Sequence, residues 1–297
     1  MKQLILSPNA KGAIYATAAA ALNGTIGVFS KFLMESGLNS STIALLKSLI
    51  GFSFLLVILR GRFESVGSYI RAGICAFFGI FMLFYFETAA YQYDIAANVV
   101  LTLMASAAIV AFVLGRIFLG DEVSWTRWAG LLICMIGLAV FLGVSRPSNL
   151  LGLAYAVTAG IGYGAFSVIA KLIKLGSGLA VTRRLLLFGS LYLSLPLLKN
   201  GVVFPGLSIA ACVGLLALAL LPSVGGFYCT TRAIELATPA QVQLFELSEP
   251  LFAAVLALVF LHQIPGLNTY LGGALVVVGL FVSQQKFGGK PLILVEG

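Results

Sequence analysis

Ten runs of about 17 to 24 predominantly apolar residues follow one another along this chain, with only short polar connections between them. About 20 apolar residues in a helix cross a hydrocarbon core ~30 Å thick, and a helix satisfies its backbone hydrogen bonds within itself. The runs are 12–33, 43–59, 70–90, 96–119 and 125–144 in the first half, and 150–173, 179–198, 207–228, 239–261 and 267–284 in the second. The expected fold is an all-α integral membrane bundle of ten transmembrane helices, with the third and eighth continuing as helix beyond their apolar parts. The chain is 60% hydrophobic and 9% charged, with a mean hydropathy of +1.07, so most of its surface must face lipid or other helices.

Charge orients the bundle. Fourteen lysines and arginines, from Lys2 and Lys11 through Arg183 and Arg184 to Lys290, fall at one set of span ends; three, Lys31, Arg146 and Lys199, fall at the other; Lys47 lies inside a span. This bias puts both termini in the cytoplasm. The net charge of +8 is spread between spans and forms no basic domain, which argues against nucleic acid. Cys75, Cys134, Cys212 and Cys229 sit inside apolar spans and read as small apolar residues. His262 is the single histidine, which excludes multi-histidine metal chemistry. No soluble domain is attached and no cleavable signal is evident.

The halves resemble each other. Residues 11–31 lie over 151–171, matching Gly12 with Gly152, Tyr15 with Tyr155, Gly24 with Gly164 and Lys31 with Lys171. FYFETAA at 84–90 lies over FYCTTRA at 227–233, and Gly130 and Gly137 lie over Gly272 and Gly279. Five helices per half reverse the second repeat relative to the first, and in such inverted repeats cargo binds near the midplane where the repeats meet. The expected domains are a first repeat at 11–144, a second at 150–284 and a cytoplasmic tail at 285–297.

The ninth span breaks the apolar rule. It carries Gln241, Gln243, Glu246 and Glu249, the last directly before Pro250. Counting from Pro239, Glu249 lies about 15 Å into the membrane, where an ionisable group must face protein or water. Gln243, Glu246 and Glu249 are spaced by three and share one flank. Pro250 predicts a kink at Glu249. By the alignment of the halves Glu249 corresponds to Ser106, so the acids belong to one half only.

Together these features resemble the drug/metabolite transporter superfamily, EamA type: two five-helix repeats, the tyrosine-containing ends of the third and eighth spans, the Glu249-Pro250 pair, the Asp121-Glu122 pair after the fourth span, and the paired glycines of the closing helices. The sequence departs from the family pattern at His262-Gln263, where Gly-Glu is common, and the first half lacks the Glu-Pro pair. The resemblance implies ten helices, cytoplasmic termini, a bacterial inner-membrane location and transport of small metabolites, often amino acids leaving the cell.

Candidate cargo residues are Asn23 and Tyr163, equivalent in the first and sixth spans, and Asn98, Thr102 and Ser106, four apart on one face of the fourth. That row lines up with Gln241, Phe245 and Glu249, so the two faces either look at each other across a pathway or hydrogen-bond directly. Gln243 joins this set. Glu87, late in the third span, has Tyr85, Tyr91 and Tyr93 near it, which suit a cation or an aromatic solute as well as a membrane interface. Lys47 either snorkels to the interface, pairs with Glu87 or meets a cargo carboxylate.

No phosphate-binding loop is present, so a gradient must supply the energy. Glu249 first and Glu246 second are candidates to take up a proton in one facing state and release it in the other. An integral-membrane transferase would need paired aspartates or a histidine–acid pair; Asp94 and Asp121 are the only aspartates, and the chain is not read as an enzyme. The expectation is a secondary transporter of small metabolites, an exporter of amino acids or related compounds by alternating access. Transport of organic cations is the alternative. Partners are a small-molecule substrate, the bilayer and protons, without cofactor or metal, as monomer or homodimer.

Overall fold

The computed structural model describes residues 7–59, 65–94, 96–121, 124–143, 149–200, 206, 208–261 and 266–285. Glu122, His262, Gln263 and the tail beyond Gln285 lie outside the described residues. In chain order the helices are α1 (Pro8–Asn23), α2 (Ile26–Glu35), α3 (Ser40–Ile58), α4 (Val66–Ala76), α5 (Leu83–Tyr93), α6 (Ala96–Leu114), α7 (Trp125–Leu142), α8 (Leu150–Leu172), α9 (Leu179–Asn200), α10 (Ile209–Leu218), α11 (Phe227–Leu236), α12 (Pro239–Glu246), α13 (Glu249–Leu261) and α14 (Leu267–Gln284). Among the described residues there is no strand, and nine helical stretches are long and apolar enough to cross a membrane. The protein is an all-helical, multi-pass membrane protein.

The third and eighth spans do run on past their apolar parts, to Tyr93 and Leu236. Each contains a π-helical segment, Phe77–Met82 and Ala219–Gly226, at the position the FYFETAA alignment pairs. Pro222 lies inside the second, where its missing N–H is absorbed by the widened turn.

The span expected at 239–261 is not one helix. It is α12 followed by α13, with Leu247 and Ser248 between them, so the interruption falls two residues before the expected kink. Pro250 takes a place in the first turn of α13, where a missing N–H costs nothing. The 12–33 span is likewise interrupted, at Gly24–Thr25, between α1 and α2.

The surface carries large apolar side chains such as Leu198, Ile209, Val57 and Phe281, and the interior mixes alanines and glycines with buried Leu, Phe and polar side chains. This is the pattern of helices packed in lipid, where close backbone approach rather than hydrophobic burial holds neighbours together. The closing helices α7 and α14 show it most clearly. They run antiparallel, and a Cβ on Gly130 would come within 2.6 Å of the Gly279 carbonyl oxygen, while one on Gly137 would lie 2.9 Å from that of Gly272. A Cβ on Gly272 would overlap the Phe141 backbone. Gly272→Leu is therefore expected to destabilise the bundle by more than about 3 kcal/mol, seen as loss of the monodisperse peak in detergent size-exclusion chromatography.

Candidate functional site

The two interruptions meet. At the first, Thr25 Oγ1 donates to the Leu22 carbonyl at 2.8 Å. At the second, Leu247 and Ser248 turn through short-range bonds to Leu244 and Phe245, and Ser248 Oγ also donates to the Phe245 carbonyl at 2.7 Å. A Cβ on Gly24 would sit 3.2 Å from the Glu249 carbonyl oxygen and 3.0 Å from the Ala253 nitrogen. The end of α1 and the start of α13 thus lie side by side, which places Asn23 and Glu249 at one level of the bundle.

Asn23 and Glu249 line an enclosed cavity of about 20 Å³, together with Lys47, Glu87, Phe84 and Tyr163. That volume holds about one water molecule. Lys47 does not snorkel: it is 1% exposed, with Nζ 3.7 Å from Glu87 Oε2 and 3.8 Å from the centre of the Phe84 ring. The ion pair is too long for a hydrogen bond, so neither Lys47 Nζ nor Glu87 Oε2 has a hydrogen-bond partner. The other carboxylate oxygen of Glu87 accepts from Tyr91 Oη at 3.4 Å. Both charges therefore retain bonding capacity beside the cavity.

The three buried acids differ in their surroundings. Glu246 is fully buried, and its Oε1 accepts from Tyr163 Oη at 3.0 Å and Thr230 Oγ1 at 2.9 Å, its Oε2 from Gln243 Nε2 at 3.1 Å. Gln243 Nε2 also donates to Ser167 Oγ at 3.0 Å. This network ties α8, α11 and α12 together. Glu249 is 6% exposed and has no hydrogen-bond or ion-pair partner among the described residues. It also lies on a second, more open pocket of about 310 Å³, lined by Gly24, Gly27, Val28, Lys31, Val100, Phe141 and Ala254 among others. Glu249 thus lies on both the small cavity that holds the buried charges and the larger, more open and mainly apolar pocket.

The remaining candidates fall elsewhere. Ser106 Oγ donates to the carbonyls of Thr102 and Leu103 and lies against Gly160, so this row of α6 packs on α8. Asn98 Nδ2 donates to Asp94 Oδ1 at 3.0 Å, and Gln241 Nε2 to Gln284 Oε1 at 3.4 Å. Phe245 packs against the main core. Tyr85 stacks on Phe81, ring centres 5.7 Å apart, and meets Phe86 edge-on. From α6 the cavity takes Leu103 and Met104 instead. Phe84, which holds Lys47 from the ring face, was not singled out from sequence. Its position three residues before Glu87 on the same helix was the available signal. Asp121, outside the spans, is partly buried, and burial pushes its carboxyl up from the usual range while Arg127 and Lys171 act against that shift.

A charged, enclosed cavity between interrupted helices inside an apolar bundle marks the class: a multi-pass membrane protein that passes small solutes. A model of the EamA-like transporter family matches the chain twice, over residues 10–143 and 150–284, and the chain belongs to that family. It is 28% identical over 206 residues to a "probable terminal-alkyne amino-acid exporter" of Streptantibioticus cattleyicolor, covering 67% of this chain and 68% of that one. An uncharacterized transporter of Archaeoglobus fulgidus is 21% identical over 195 residues, 65% of this chain and 69% of that one. A solved crystal structure superposes with a TM-score of 0.74 over 92% of this chain and 97% of that chain at 17% identity, a likeness of fold alone. Both of these sequence relatives are described as transporters, and this chain is a membrane transporter of small metabolites.

Proposed function

We propose that the protein is a secondary active exporter of amino acids or related zwitterionic metabolites, working by alternating access, with Glu249 as the proton-coupling acid. The observation that carries this reading is the placement of an unpartnered Glu249 on the same enclosed cavity as Lys47, whose ammonium lacks a hydrogen bond. A zwitterion supplies what each lacks: its carboxylate bonds Lys47 Nζ and its ammonium bonds Glu249, each a charge-assisted contact. Interrupted helices at the cargo site are a recurrent transporter device, because they free backbone groups where lipid does not reach. With room for about one water, the cavity must open to admit a metabolite, which is the motion alternating access requires.

The double match of the family model supports two repeats, which inverted topology would make ten spans, with α12 and α13 together as the ninth. The charge bias supports cytoplasmic termini, in a bacterial inner membrane. The exporter relative from Streptantibioticus supports an amino-acid cargo. A bare organic cation fits less well, because Lys47 would stand beside it.

The test is flux into proteoliposomes of purified protein, with labelled amino acids and quaternary amines, with and without an imposed pH gradient. Amino-acid flux that follows the gradient is expected. Flux of quaternary amines alone would overturn the zwitterion reading and recast Glu87 and Glu249 as cation ligands.

A further inference from the structure

At one end of the bundle, where α8 and α11 finish, Lys171 Nζ donates to three backbone carbonyls, those of Ile234 at 2.8 Å, Glu235 at 3.1 Å and Ala237 at 2.9 Å. These are carbonyls that the end of α11 leaves without a helical partner, at the negative pole of its dipole. One ammonium has three donors, and all three are used.

The sequence pairs Lys171 with Lys31, and pairs the end of α11 with the end of α5. The two helix ends are built alike: Ala237 follows α11 at φ −129°, ψ 174°, and Asp94 follows α5 at φ −142°, ψ 164°. Their packing is exchanged in the same way, since Gly12 of α1 abuts Ala237 and Gly152 of α8 abuts Asp94. The carbonyls equivalent to those held by Lys171 are therefore those of Tyr91, Gln92 and Asp94. Lys31 does not hold them; among the described residues it has no hydrogen-bond or ion-pair partner, and it lines the 310 Å³ pocket.

The two helix faces differ in the same sense. Gly24, Gly27, Val28 and Lys31 line the open pocket, and Val28 is 51% exposed. Their counterparts are packed: a Cβ on Gly164 would lie 2.9 Å from Val110 Cβ, Ser167 accepts from Gln243, and Val168 is 1% exposed. The helix face around Lys171 is packed and latched; the equivalent face around Lys31 borders the open pocket and is unlatched. The second end nevertheless keeps the equivalent helix beside its receiving carbonyls: α2 and the end of α5 share one apolar cluster through Leu33, Ala90 and Tyr91.

We infer that Lys31 and Lys171 are reciprocal latches of the transport cycle: closing the open end lets Lys31 cap the carbonyls at the end of α5, as Lys171 releases those at the end of α11. The inference rests on the alternating-access reading and adds its switch. Exchanging one set of three charge-assisted bonds for an equivalent set keeps the two facing states close in free energy, which a transporter needs if both are to be populated.

The experiment reads the two states without any cargo. Cys212 is exposed and Cys229 half-buried, so both are replaced by serine. A Val28→Cys or a Val168→Cys reporter is then labelled with a maleimide in detergent. The parent is expected to label fast at position 28 and slowly at position 168. Lys171→Met is expected to lower the ratio of the two rates at least tenfold, about 1.4 kcal/mol, and Lys31→Met to raise it. The double substitution is expected to bring it back toward the parent. A ratio within twofold of the parent for either single variant, or shifts of the same sign, would overturn the latch, even if yield or thermal stability falls. Proteoliposome flux separates the two readings: responsive labelling without flux sinks the cargo assignment alone, and flux with an unmoved ratio sinks the latch alone.

Discussion

Glu249→Gln is expected to lower cargo flux at least tenfold and to remove its response to an imposed pH gradient, while leaving the protein monodisperse in detergent. The amide keeps the size and polarity of the side chain but neither binds a proton nor carries charge. A hydrogen bond to a charged group contributes about 1.5–3 kcal/mol, which is about 10- to 100-fold in a rate that depends on cargo binding. Stability should change little, because the side chain has no hydrogen-bond or ion-pair partner to lose among the described residues, and replacing a buried unpaired acid by a neutral group relieves a desolvation cost. Counterflow of labelled against unlabelled cargo, measured at several external pH values, checks the expectation. A variant whose flux remains as pH-dependent as the parent's would remove Glu249 from the coupling step.

Lys47→Met should have the largest effect on stability. Lys47 and Glu87 are buried together, 3.7 Å apart, with Phe84 against the ammonium. Removing one partner of such a pair leaves an uncompensated buried charge and costs about 3–5 kcal/mol, whereas removing both is often close to neutral. The single variant is expected to show a markedly lower melting temperature in detergent, and Lys47→Met/Glu87→Gln to recover most of the loss. If Lys47 also receives the cargo carboxylate, the double variant will fold yet transport poorly. Full flux in a stable double variant would restrict Lys47 to a structural role. A single variant as stable as the parent would show that Glu87 is neutral without its partner.

Much of the architecture was legible before any coordinates. Apolar runs long enough to span a membrane identify helices whatever their neighbours, and the extension of the third and eighth spans to Tyr93 and Leu236 followed the sequence expectation. The interruption at Leu247–Ser248 was half legible: Pro250 announced it, but a proline is equally at home in the first turn of a new helix, and that choice moved the break upstream. The interruption at Gly24–Thr25 had only its glycines as a signal, and glycines in membrane helices serve close packing just as often.

The site divides along the same line. Asn23, Tyr163, Lys47, Glu87 and Glu249, each singled out from sequence, do gather on one cavity. Asn98, Thr102 and Ser106 share a helical face as their spacing requires, yet Ser106 meets α8, Asn98 bonds to Asp94, and none of the three lines the cavity. Spacing of three or four residues fixes which side chains share a face; it carries no information about which neighbour the face will meet.

What the sequence by itself determined is the class of molecule: a helical membrane bundle, with acids inside one apolar run and halves whose sequences resemble each other. These are local properties, set by the transfer of each run into hydrocarbon and by matches along the chain. What only the tertiary structure decided is which buried charges are satisfied. Glu246 has three donors from three helices, Glu87 has Lys47 from 40 positions earlier, and Glu249 has none of these. That difference arises from how α1, α3, α5, α8 and α13 cross one another, because a buried polar group finds its partners across helices whose order in space the hydropathy pattern does not encode.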